Sequence, residues 1–177
     1  MEYENRGFAC CFTGHRGIPR DDEERIRKVL EEEIRKLIDG GYTDFWSGGA
    51  VGFDILSGMA VLQAKQFHED IRLILVLPCR NQTERWMRVK SDSAMHNLQT
   101  YQHLKNQAES ILYLNDFYVD GCMRERNARM VTMSSHCVAY WNGCYIGGTA
   151  QTVRMAQKEN IPVTNLWQPT AKPESVQ

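Results

Sequence analysis

The sequence lacks several features that would assign it to a class at once. No apolar run approaches the roughly 20 residues needed to cross a bilayer. The first residues have no basic segment followed by an apolar stretch, as a secretory signal would. Strong charge is also missing, because 21 Lys and Arg balance 22 Asp and Glu to give a net charge of −1. We therefore expect a soluble, cytoplasmic protein without membrane partners, and the near-neutral charge disfavours nucleic acid as a partner.

Patterns that hold metals or disulfides are missing as well. The six cysteines include no Cys-x-x-Cys pair, and the five histidines show no His-Glu-x-x-His spacing. Such cysteines in a cytoplasmic chain are typical of reduced thiols that pack as small apolar side chains. We expect no metal site and no required cofactor.

What the sequence does contain is a regular alternation of short apolar runs and amphipathic stretches. Strands are predicted at 8–12, 44–47, 71–77, 110–114, 137–141 and 162–166, with helical patterns between them. Such alternation predicts right-handed crossovers and a parallel sheet covered on both faces. We therefore predict an α/β fold: one doubly wound, Rossmann-like domain over residues 1–167, with a mainly parallel sheet of about six strands, and a flexible tail at 168–177.

Three clusters of small and polar residues follow predicted strands. Ligands of such sheets bind beyond the carboxyl ends of the strands, where glycines let backbone N–H groups approach an anion closely. Glycines that merely permit tight turns are the simpler explanation for any single loop. Three such loops at one edge favour a ligand that carries phosphate. The candidate residues are Thr13, Gly14, His15 and Arg16; Ser47, Gly48, Gly49 and Asp54; and Gly147, Gly148 and Thr149.

None of these loops has the spacing of the common nucleotide-binding motifs. Neither Gly-x-Gly-x-x-Gly nor Gly-x-x-x-x-Gly-Lys-Ser/Thr occurs in the chain. Generic NAD dehydrogenases and P-loop ATPases are therefore disfavoured.

A fourth candidate lies at the start of the helix predicted near 122–133. Arg126 and Asn127 could present a guanidinium and an amide to a ribose or a phosphate. A solvated charged face is the alternative for the arginines of this segment.

Taken in order, these motifs resemble the YpsA-like proteins of the SLOG superfamily, over residues 8–167. That superfamily includes the lonely-guy phosphoribohydrolases and the DNA-processing protein DprA. The resemblance implies a Rossmann-like fold, a nucleotide or nucleotide-derived ligand such as a relative of ADP-ribose, and a homodimer. The residues that carry it are Phe12-Thr13-Gly14-His15-Arg16, Ser47 to Asp54, Leu77-Pro78, Gln82, Arg85-Trp86, Arg126-Asn127, Met130 and Gly147-Gly148-Thr149.

The resemblance leaves open whether the chain is an enzyme. The phosphoribohydrolases carry Met-x-Glu-Arg-Lys, which Met123-Arg124-Glu125-Arg126 matches closely, and this makes Arg126 and Glu125 the candidate catalytic residues. Thr152, however, stands where that family has its catalytic Glu. A carboxylate is needed there to stabilise the oxocarbenium-like state of glycoside cleavage. Asp54 is a further carboxylate that could substitute.

We therefore expect a module that senses or sequesters a nucleotide-derived small molecule, such as an ADP-ribose or NAD relative or a nucleoside phosphate. A nucleotide N-glycosidase of the lonely-guy type is the first alternative. A DNA-binding protein related to DprA is the second.

Overall fold

The predicted alternation of strands and helices is present in the computed structural model, which describes residues 5–88 and 91–169. The strands are β1 (Ala9–Gly14), β2 (Asp44–Ser47), β3 (Arg72–Leu77), β4 (Ser110–Tyr113), β5 (His136–Tyr140) and β6 (Val163–Asn165). The helices are α1 (Arg20–Asp39), α2 (Phe53–Lys65), α3 (Asp92–Gln107), α4 (Cys122–Thr132) and α5 (Gly148–Lys158), with 3₁₀ turns at Arg6–Phe8 and Gln82–Arg88. Of the predicted tail, residues 170–177 lie outside the described part, and so does the side chain of Arg85.

The six strands form one parallel sheet in the order β4-β3-β2-β1-β5-β6. The chain moves outward from β1 to β4, then returns to the other side of β1 to form β5 and β6. Helices α1 and α2 pack together, as do α2 and α3, while α4 packs on α5. Right-handed crossovers place the first three helices on one face and the last two on the other. The predicted Rossmann-like α/β fold is confirmed.

Alternation along β1 divides the core into two apolar clusters, one on each face. Cys10 and Phe12 pack with α1 and α2, and the rings of Phe12 and Phe45 stack at 6.1 Å between centroids. Cys11 and Trp46 belong to the cluster under α4 and α5. Because both faces are covered, the strands read as continuous apolar runs rather than alternating ones.

The reversal of strand order places a crevice beside β1. The loop after β1 leads to α1 on one face, and the loop after β5 leads to α5 on the other, so the two chains diverge at neighbouring strand ends. In open α/β sheets this divergence is where ligands bind. None of the described helices is both long and apolar enough to cross a membrane.

Candidate functional site

The loop after β2 satisfies part of its own backbone from within. The Ser47 hydroxyl donates to the carbonyl of Asp54 (2.9 Å) and accepts from the N–H of Gly49 (3.3 Å). The carboxylate of Asp54 accepts from the N–H of Ala50 (3.4 Å). The N–H of Gly49, predicted to face a ligand anion, and the N–H of Ala50 are thus directed at side chains of the loop itself. The Asp54 carboxylate is the anion that the loop already holds.

Asp54 also forms a buried ion pair that crosses the end of β2. Nη1 of Arg126, from the first turns of α4, donates to Oδ2 of Asp54 at 3.1 Å, and the two side chains are 9% and 7% exposed. Asp54 belongs to α2, so the pair joins the helix layers on opposite faces of the sheet. Burial raises the pKa of the Asp54 carboxyl, although Arg126, the N–H of Ala50 and the charge of Arg16 each act to lower it.

The guanidinium of Arg126 is only partly used by this pair. Its Nε is buried and has no hydrogen-bond partner among the described residues. Buried donors are rarely left unpaired, and those that are deserve an explanation in terms of function, a missing water or an ion.

The start of α5 presents a second set of unpaired donors. The first backbone bond of the helix runs from Gln151 N to Gly147 O, so the N–H groups of Gly148, Thr149 and Ala150 precede it. Gly147, at φ +112°, provides no side-chain cap. These N–H groups and the helix dipole make the position attractive to an anion.

Asn127 places an amide beside the start of α5. Its Nδ2 lies 3.8 Å from the position that a Cβ of Gly148 would occupy, and the residue is 6% exposed. Within the described ranges, no hydrogen bond of this side chain is present. Arg126 and Asn127 therefore lie close to the β2 and β5 loops respectively.

The loop after β1 lies between these two regions. Thr13 is buried, and by alternation with Cys11 its side chain is on the α4 and α5 face. His15 bridges to the loop after β5, because its Nε2 lies 2.9 Å from Oδ1 of Asn142, while its carbonyl accepts from the N–H of Phe53. Gly14 abuts the Phe53 side chain. Arg16 is exposed, and its charge acts to lower the pKa of Asp54.

A groove of about 1230 Å³ lies on the α1, α2 and α3 face of the molecule. Of the predicted site residues, Arg16 alone lines it. The groove is thus separate from the crevice between the starts of α4 and α5.

The candidate catalytic residues and Thr152 each contact a neighbouring residue of the chain. The Thr152 hydroxyl donates to the carbonyl of Gly148 at 2.9 Å and is buried, so its position offers no carboxylate. Glu125 is exposed and accepts from Nδ2 of Asn115 at 3.3 Å. Asp54 is tied to Arg126 as described.

Sequence reasoning missed two polar side chains that hold the site loops. Gln82, buried after β3, donates to the carbonyl of Gly49 at 3.3 Å. Oδ1 of Asn142 lies 2.9 Å from Nε2 of His15, and the backbone N–H of Asn142 donates to the same nitrogen at 3.1 Å. Gln82 carried a signal in the sequence as part of the family resemblance, whereas nothing near Asn142 indicated its partner 127 residues away.

Comparison with known proteins bears on this arrangement. The model of the YspA SLOG family matches residues 11–165, which is most of the chain and spans every loop of the site. The chain belongs to this family. A curated relative, the UPF0398 protein BH1768 of Halalkalibacterium halodurans, is 32% identical over 72 residues. The match covers 41% of this chain and 35% of that protein.

Two solved structures share the fold of this SLOG family protein. DNA processing protein A of Helicobacter pylori, described for its single-stranded DNA binding mode, matches with a TM-score of 0.57 and 17% identity, over 89% of this chain and 64% of that one. TM1055, a structural genomics target, matches with a TM-score of 0.52 and 16% identity, over 88% of this chain and 71% of that one. The chain thus spans about a third of the curated relative and under two thirds of DNA processing protein A. At such identities the likeness concerns the fold.

Proposed function

We propose that this SLOG family protein binds a nucleotide-derived small molecule whose phosphate lies at the start of α5. The observation that carries the proposal is the unpartnered amide of Asn127 beside the uncapped N–H groups of Gly148 and Thr149. A phosphate supplies the acceptors that both sets of donors lack. Family membership favours a nucleotide ligand over inorganic phosphate alone.

The rest of the ligand would extend toward Arg126, one residue before Asn127 on α4. The unpaired Nε of Arg126 offers a donor to a ribose hydroxyl or to a second phosphate. Because no carboxylate stands at position 152, the proposal is one of binding, as in a sensing or sequestering module, rather than of cleavage.

The proposal is tested by isothermal titration calorimetry with AMP, ADP-ribose, NAD and ribose 5-phosphate. At least one of these should bind, and Asn127→Ala should weaken that binding about tenfold or more, because a hydrogen bond to a charged group contributes about 1.5–3 kcal/mol. Asn97→Ala, a polar truncation on α3 away from the crevice, is the matched control and should bind as wild type does. Absence of binding to all four compounds, or an Asn127→Ala variant with wild-type affinity, would refute the proposal.

The same samples separate the alternatives. Release of ribose 5-phosphate or free base from AMP or NAD would show an N-glycosidase and would contradict the binding-only proposal. Single-stranded DNA is a second candidate ligand, favoured by the structural likeness to DNA processing protein A. Retention of an oligonucleotide that weakens steeply with salt, and is lost in Asn127→Ala, would replace the small molecule by DNA at this site.

A further inference from the structure

Gly48 is a glycine of the site whose identity the backbone conformation does not explain. Six glycines of the described chain have positive φ, which favours glycine, and Gly48 is not among them. Its neighbours Gly49 and Gly52 are, at +60° and +91°. Another residue could therefore adopt the backbone conformation of Gly48, so the reason for glycine at this position must be steric.

The steric reason is Arg126. A Cβ built on Gly48 would overlap Nη1 of Arg126 and would lie 2.7 Å from Oδ2 of Asp54. Both are too close for a real side chain. The guanidinium therefore occupies the space that any larger residue at position 48 would need, and it does so at the point where it donates to Asp54.

The guanidinium that fills the space beside Gly48 uses only some of its nitrogen atoms in contacts with the protein. Nη1 donates to Asp54, while Nε is left without a partner in the described structure. Nε and Nη2 form the edge with which arginine binds carboxylates and phosphates side-on. Asp54 and the space left by the glycine at position 48 together hold Nη1 in place.

We infer that Gly48 is a positioning residue, which acts by accommodating the guanidinium of Arg126, and not as a glycine whose backbone cradles phosphate. The effect of Gly48 on ligand binding rests on the proposed function, whereas the steric relation between Gly48 and Arg126 is independent of it.

A double-mutant cycle tests the inference without a ligand. Gly48→Ala and Arg126→Ala should each lower the urea midpoint of unfolding. Gly48→Ala should cost less in the Arg126→Ala background than in wild type, because the closest overlap, with Nη1, is removed and only the 2.7 Å contact with Oδ2 of Asp54 remains. Gly17→Ala is the control and should leave the midpoint unchanged, since a Cβ there meets nothing within 4 Å. Equal losses from Gly48→Ala in both backgrounds would overturn the inference.

The same cycle read by calorimetry with AMP tests the role in binding. Gly48→Ala should weaken AMP about as much as Arg126→Ala, at least tenfold, and the double variant should lose no more. Wild-type affinity in a folded Gly48→Ala variant would overturn the inference while leaving the proposed function intact. Failure of the wild-type protein to bind AMP or any of the other three compounds would refute the proposed function, and the urea cycle would still decide whether Gly48 houses Arg126.

Discussion

Replacement of Arg126 by Met should cost stability in a way that depends on pH. The change keeps much of the side-chain volume but removes the charge that faces Asp54, and both side chains are more than nine-tenths buried. Loss of one member of a buried pair typically costs about 3–5 kcal/mol, because the other charge is left without compensation. The carboxyl of Asp54, however, can take up a proton, and burial already raises its pKa.

The sign of the pH effect follows from that direction. Asp54 binds its proton more tightly in the folded protein than in the unfolded chain, so stability falls as pH rises from the unfolded pKa to the folded one. In Arg126→Met this folded pKa should rise further, because the lowering effect of the guanidinium is gone. Between the folded-state pKa of Asp54 in wild type and its higher value in the variant, the free energy of unfolding of the variant should fall by up to about 1.4 kcal/mol per pH unit relative to wild type.

The assay is urea unfolding followed by tryptophan fluorescence between pH 5 and pH 8, with the free energy of unfolding taken by linear extrapolation. Asp54→Asn is the matched comparison, because it leaves a guanidinium that cannot deprotonate, so the stability of this variant should not depend on pH through this pair. The double variant should cost less than the sum of the two single changes. An Arg126→Met variant whose cost is the same at pH 5 and pH 8 would refute the reasoning.

Two further changes test the framework around the site. Gly52→Ala should destabilise the protein by about 1–3 kcal/mol in the same unfolding assay, because Gly52 has φ +91° and a Cβ there would overlap the backbone of Arg16. A stability equal to that of Gly17→Ala would contradict this account of the loop. Phe12→Ala should cost about 3–5 kcal/mol through loss of apolar burial and the cavity it leaves between β1 and α1. A cost below 1 kcal/mol would mean that the core collapses into the space.

The fold was readable from the sequence because its signals are local. Each buried strand is a short apolar run, and the pattern of α1, with Ile26, Leu30 and Ile34 buried on one side, identifies a helix without reference to anything distant. The end of β1 was placed too early, at Phe12, because Thr13 and Gly14 are polar or small, yet they continue the ladder with Ala139 and Tyr140.

The site was harder to predict from the sequence than the fold, because its main contacts join segments that are far apart in the chain. The sequence predicts that Gly48, Asp54 and Arg126 lie at one edge of the sheet and that all three are ligand contacts. That Asp54 and Arg126 pair with each other, 72 residues apart, depends on how α2 and α4 approach the end of β2 from opposite faces. The amide of Asn127 beside Gly148 likewise depends on the packing of α4 against α5.

The ion pair that spans the end of β2 connects a ligand bound on one face of the sheet to the helices on the other face. Arg126 belongs to the layer of α4 and α5, while Asp54 lies in the first turn of α2, whose neighbours are α1 and α3. A molecule that binds the guanidinium of Arg126 changes the ion pair between Arg126 and Asp54. It thereby changes the strength of the hydrogen bond that the Asp54 carboxylate accepts from the N–H of Ala50. Amide hydrogen exchange at the beginning of α2 would then report ligand binding at Arg126, which belongs to the opposite helix layer.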